Sequence, residues 1–295
     1  MRSLLLFLLV ITSQYGHGRY LSAYSGFHFS QHQYLVEDAT LTTPYVGARL
    51  DSTHFRRKGQ GWFSRGVAAQ FSQGQNYQQF DGQIPFFQWT KHQGIWLDYF
   101  YSKQSLEADL AESAIFLGED GTTTSIAAGS NVTTDFQISR LSIYWYESTQ
   151  YAGPINYLGV FQTTEITPAA STLTGTNASI FDGSFTGFGL TMGRKKDTRG
   201  LNFQWRLRLA QLNSDFSDNV TGHRALSTEE STVYQLAMDL NWHYRYYLAP
   251  YWYLVPEIRV NFSTSLQTTM DPQQVDHDAF IFIGTQSLIS LQKRF

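Results

Sequence analysis

Cysteine is absent from the 295 residues, which excludes a disulfide framework and any metal site built on thiolates. Proline is scarce, at 7, and charged residues make up only 15%. Beyond residue 18 no apolar run approaches the ~18 residues of a membrane-crossing helix, so entry into a bilayer would have to be by strands. Missing too are G-x-S-x-G, His-Glu-x-x-His, a phosphate-binding loop and the dinucleotide glycine pattern. Basic patches with the spread that nucleic acid requires are absent. No cofactor or metal is expected from what remains.

Aromatic residues are plentiful, with 22 Phe, 18 Tyr and 7 Trp, beside a mean hydropathy of −0.29. Rings in a chain that is polar on average suit alternating strands. The clearest case is residues 200–212. Leu201, Phe203, Trp205, Leu207 and Leu209 take one side; Asn202, Gln204, Arg206 and Arg208 take the other. Strict period two means a strand with one apolar and one wet face. Residues 234–245 repeat it, setting Tyr234, Leu236, Met238, Leu240, Trp242 and Tyr244 against Gln235, Ala237, Asp239, Asn241, His243 and Arg245. In a soluble sandwich the apolar face would be core; in a membrane barrel it would face lipid, with the charged face lining the lumen.

The first eighteen residues read as a secretory signal. Arg2 is a positive start, Leu4 to Ile11 is apolar, and Gly16 and Gly18 are small residues before a cut after Gly18. Residues 19–295 then form one domain. Twelve segments have strand character: 20–30, 44–54, 62–71, 86–91, 95–103, 135–146, 155–164, 185–193, 201–212, 233–246, 251–263 and 279–295. Faces are not assignable in 62–71 and 86–91, and Pro256 predicts a bulge. The connections between segments alternate long (31–43, 72–85, 104–134, 165–184, 213–232, 264–278) and short, the rhythm of long external loops and short periplasmic turns. Charge follows the same division. Asp81, Glu107, Asp109, Glu165, Asp271, Asp276 and Asp278 are among the many acids of the long connections, where Arg224 is the only base. The short ones hold Arg56, Arg57, Lys58, Arg194, Lys195, Lys196 and Arg199.

At the C-terminus Ile281, Ile283, Ile289, Leu291 and Phe295 share a face and the chain stops on the aromatic. Here the sequence resembles bacterial outer-membrane barrels, whose last strand ends in Phe and is read by the assembly machinery. Lys293 departs from that pattern, standing where those proteins usually carry an apolar or aromatic residue. The resemblance covers about residues 19–295 and names no subfamily. Twelve strands would be shared with autotransporter translocator domains (here without a passenger), acidic-sugar porins, outer-membrane phospholipase A and a lipid A deacylase. It implies an all-β, twelve-stranded antiparallel transmembrane barrel in a Gram-negative outer membrane. Its partners would be membrane lipid, lipopolysaccharide and the assembly machinery, with divalent cations at the acidic loops. Rings near the short turns, among them Tyr144, Trp145, Tyr146, Tyr151, Tyr244, Tyr246, Tyr247, Tyr251 and Trp252, suit a periplasmic-side girdle.

On this register Arg49, Asp98, Arg140, Arg206, Arg208, Asp239, His243, Arg245, Glu257 and Arg259 point into the lumen. Isolated charges in a dry interior are costly, so they must pair across strands or be solvated by a channel. Asp239, Asn241 and His243 share a face but stand roughly 6–7 Å apart along it, which suits a lumen network rather than a catalytic triad. Asp276-His277-Asp278 reads as solvated loop charge, and His28 and His32 lie too far apart for one metal without a bend. Ser105 to Gly118 admits a capped helix or an upward continuation of the preceding strand. Function is expected to be a narrow pore or a passive structural barrel. The alternatives are a surface enzyme hydrolysing lipid or peptide, and an interaction or adhesion protein using acidic loops. A soluble secreted sandwich is the alternative fold.

Overall fold

The computed structural model describes residues 20–34, 36–51, 68–90, 92–110, 114–117, 123–148, 154–166, 171–173, 183–197, 201–216, 231–271 and 274–294. The expected leader 1–18, Tyr151 and Phe295 lie outside them, as do Arg56, Arg57, Lys58 and Arg199. Twelve strands form the wall. They are β1 (Tyr20–Tyr34), β2 (Val36–Asp51), β3 (Ala68–Gly74), β4 (Tyr77–Thr90), β5 (Gln93–Leu110) and β6 (Asn131–Ser148). The second half comprises β7 (Ile155–Ile166), β8 (Gly183–Asp197), β9 (Leu201–Phe216), β10 (Ser231–Tyr244), β11 (Trp252–Asp271) and β12 (Gln274–Arg294). Each pairs antiparallel with its sequence neighbours, and β1 pairs with β12 from Tyr20↔Arg294 to Gln33↔Ile281, closing the barrel.

All twelve expected segments lie on or overlap these strands, but the strands run further than the apolar alternation does. Of 31–43, expected as a long connection, residues 31–34 and 36–43 belong to β1 and β2, which are still paired at Tyr34↔Val36. Most of 264–278 is likewise paired, out to Asp271↔Gln274. Residues 72–85 hold a hairpin closed at Gly74↔Tyr77, with Asn76 at φ 57° in the turn. The reason is common to all three. Wall beyond an apolar belt is polar on both faces, so hydrophobic periodicity cannot report it. The upward continuation, not the helix, is what Ser105 to Leu110 adopts: Ser105↔Asp135 and Leu106↔Thr134 extend the β5–β6 ladder, and Leu106 is buried.

The hairpin of β3 and β4 is short, and above its turn β2 pairs directly with β5 at Val36↔Leu110 and Glu37↔Asp109. Ser105 N donates to Asn76 O at 3.0 Å, which fixes the turn under that seam. Twelve strands therefore make the wall at the end bearing Tyr20 (the base), and ten continue to the opposite rim once β3 and β4 have ended.

Two irregularities have local causes. The register of β4 against β5 shifts between Pro85 and Phe87 and again between Gln88 and Thr90, which breaks the alternation in 86–91 and explains why faces there are unreadable. Pro256, by contrast, pairs in unbroken register with Ile289. The interruption lies in the neighbouring strand: β10 leaves the ladder after His243↔Glu257, and pairing resumes at Tyr246↔Leu254. The missing proline N–H therefore falls opposite a gap, and no bulge is needed.

Large apolar side chains are exposed on the outer face of every wall strand except β3, including Phe27, Val46, Ile84, Leu141, Val160, Phe188, Leu209, Trp242, Ile258 and Ile289. Glycines on the inner face make room for rings from neighbouring strands. An added Cβ at Gly189 would stand 2.4 Å from the ring of Phe161, and one at Gly193 would stand 2.3 Å from the hydroxyl of Tyr157.

Candidate functional site

The inner face carries the charged residues, and register alone puts them there: Arg206 sits opposite Asp239, Asn241 opposite Arg259, and His243 opposite Glu257. Near the base, Glu257 is the centre of a network joining four strands. Arg49 Nη2 donates to both of its oxygens at 3.1 and 2.9 Å. Arg259 Nε donates at 2.6 Å and Asn241 Nδ2 at 2.8 Å. Gln70 Oε1 accepts from Arg49 Nε at 2.9 Å and from Arg259 Nη2 at 2.6 Å, tying β3 to β2 and β11. One buried carboxylate thus compensates two guanidinium groups, with neutral amides taking the remaining donors.

Farther round, Asp98 on β5 and Arg206 on β9 approach to 3.2 Å, an ion pair between strands four places apart in the ring. Arg208 forms a two-pronged pair with Asp239, Nη2 donating to Oδ1 at 2.7 Å. Glu165 accepts from Gln235 Nε2 at 2.8 Å and from the Thr163 hydroxyl at 3.3 Å. Two acids expected in loops, Asp81 and Glu165, therefore belong to the inner face. The signal was available for Glu165, which stays in phase with Tyr157, Phe161 and Thr163. Gln70, Gln104, Tyr77 and Phe136 carried no charge to draw attention to them.

Toward the rim the interior is closed by rings and amides. Phe136 on β6 and Phe282 on β12, six places apart in the twelve-membered ring, stack at 5.3 Å with planes 20° apart. His32 packs on both at 4.5 and 4.7 Å. Gln104 Oε1 accepts from the Ser30 hydroxyl at 2.6 Å and lies 3.2 Å from His32 Nε2. Just below, His28 stacks on Tyr77 at 4.1 Å, and Gln286 donates to the Tyr77 hydroxyl at 2.7 Å. Between this plug and the base lies a cavity of about 250 Å³ whose lining runs from His28, Phe136 and Phe282 down to Asp51, Ala68 and Lys195.

Asp98, Arg140, Arg206, Arg208, Asp239 and Arg259 all line that cavity; Glu257 and His243 do not, Glu257 holding the basal network beside it and His243 standing opposite Glu257 in register. Arg245 does not join them. It lies beyond the end of β10, its guanidinium 5.2 Å from the ring of Tyr20. Ile289 and Leu291 are exposed on the outer face of the closing strand. Lys293 pairs with Trp252 in register and holds its ammonium 5.4 Å from that ring, a local partner for the residue that departs from the C-terminal pattern. Asp276-His277-Asp278 lies within β12, paired with Gln267 to Thr269, rather than in a loop. Among the described residues no group of three or more His, Asp or Glu side chains could hold a metal ion.

These features define a closed, twelve-stranded antiparallel β-barrel, apolar outside and crossed inside by polar and ionic contacts. No protein-family model matches the chain, and no curated protein does. Solved structures similar to it include the outer membrane protease OmpT from Escherichia coli, at 9% identity over 96% of this chain and 100% of that one, TM-score 0.32. The toluene transporter TbuX of Ralstonia pickettii matches at 12% identity over 95% and 90%, TM-score 0.33. The CymD monoaromatic hydrocarbon channel matches at 12% over 96% and 90%, TM-score 0.29.

Proposed function

We propose that this protein is an outer-membrane barrel of the passive structural kind, shut to solutes in the conformation described. Support for the membrane comes from the apolar outer face, since large apolar side chains exposed on eleven of the twelve strands are stable in hydrocarbon and not in water. The observation that carries the closed state is the Phe136–Phe282 stack across the full width of the barrel, backed below by the Asp98–Arg206 and Arg49–Glu257 pairs. A general porin keeps an aqueous channel through its polar interior; here the facing side chains touch. Outer-membrane lipid, lipopolysaccharide and the assembly machinery are the partners such a barrel would have. The exposed acids Glu107 and Asp109 at the rim would meet the lipopolysaccharide layer, whose counter-charge is divalent cation.

Conductance in a planar bilayer tests the proposal, on protein whose folded state is verified by a heat-dependent gel shift. A silent membrane is the expected result. Steady unitary steps from the wild-type chain would make it a narrow pore instead.

A further inference from the structure

Arg140 stands apart from the other interior cations. It is 4% exposed, its Nε has no hydrogen-bond partner, and no carboxylate among the described residues lies within ion-pair distance of it. Its guanidinium is held between two rings, 5.5 Å from the centre of Phe100 and 5.4 Å from that of Phe161. Phe161 itself rests over the bare backbone of Gly189, so the fold fixes this cation in place. The nearby acids make their hydrogen bonds elsewhere. Asp239 is bound by Arg208. Glu165, diagonal to Arg140 across the β6–β7 ladder, accepts from the neutral Gln235 and Thr163 and offsets the Arg140 charge without bonding to it. Asp81 sits two strands away, with Phe100 between it and Arg140 in the register.

A buried guanidinium with a donor that lacks a hydrogen-bond partner is costly, and an acceptor the chain does not supply can come from solution. Arg140 faces the 250 Å³ cavity, as does Arg208, whose Nε also lacks a partner. Water needs only about 10–15 Å³ of such space, so the cavity has room for an ion of several heavy atoms. We infer that the barrel interior binds a small oxyanion, a carboxylate or a phosphate, on Arg140 with Arg208 beside it. The planar donor fork of arginine suits that class of ligand. Entry is from the base, because the aromatic plug covers the other side. The inference is independent of where the barrel resides and of whether it conducts.

Calorimetric titration of the detergent-solubilised barrel with inorganic phosphate and, separately, with acetate at constant ionic strength tests this. At least one of the two binds saturably at one per chain, and the tighter one tells phosphate from carboxylate. Arg140→Gln weakens that binding at least tenfold, whereas Arg245→Gln, outside the cavity, leaves it unchanged. No binding of either ion to folded wild type overturns the inference, as does undiminished binding to folded Arg140→Gln. If Arg140→Gln fails to give the heat-shifted form, Arg140→Lys replaces it. That variant keeps the charge but loses the planar group stacked between the rings, and it too must weaken binding.

Discussion

Glu257 receives Arg49, Arg259 and Asn241, and no other side chain in the basal network could replace it. Glu257→Gln leaves two guanidinium groups around a neutral amide in a buried setting. Breaking such a group by removing one partner costs about 3–5 kcal/mol. The expected outcome is a fall of that size in folding stability, read from the urea dependence of refolding into detergent or lipid. Glu107→Gln on the exposed outer part of β5 should change it by less than about 0.5 kcal/mol. A similar small change for both would show that cavity water, not Glu257, stabilises the arginines. The charges themselves were legible in the sequence, because period-two alternation assigns an inner side to Arg206 or Glu257 directly. Their partners were not: nothing in one strand says that Asp98 meets Arg206 four strands away.

Strands β7, β8 and β9 show how an element can be specified by what it omits. The inner face of β8 offers Gly187, Gly189 and Gly193, and rings from β7 lie on two of them. Rings packed over strand glycines pin register as well as fill space. Gly189→Val should therefore abolish the heat-shifted folded form, since its side chain would have to occupy the Phe161 ring position. Gly189→Val with Phe161→Ala should restore a substantial part of it; a double variant as defective as the single would mean that backbone crowding against Leu209 O decides the matter. The inner face of these glycines was readable from their phase against Phe188, Leu190 and Met192, but the ring that covers each was not, because it comes from the neighbouring strand. The existence of twelve strands was readable, whereas their outer limits were not. Gln70, Ser72, Gln73 and Gln78 are polar on both sides of the wall, which hid the β3–β4 turn inside what looked like a loop.

For the molecule as a whole the decisive matter is which solvent touches the outside. Trp242 is 55% exposed on the outer face and Trp96 only 6% exposed on the inner one. In single-tryptophan variants reconstituted into bilayers with brominated acyl chains, Trp242 fluorescence should be quenched strongly and Trp96 fluorescence hardly at all. Equal quenching would sink the register, and no quenching of either would remove the bilayer. The dropping-out of β3 and β4 bears on the same scale. Barrel diameter grows roughly in proportion to strand number, so losing two of twelve narrows the wall by about a sixth above the turn. The cylinder is in effect a flask with its stopper in the neck, where Phe136 meets Phe282. On the membrane reading proposed above, whatever the flask contained would be exchanged through its broad mouth, and the compartments on the two sides of the bilayer would have unequal access to the same interior.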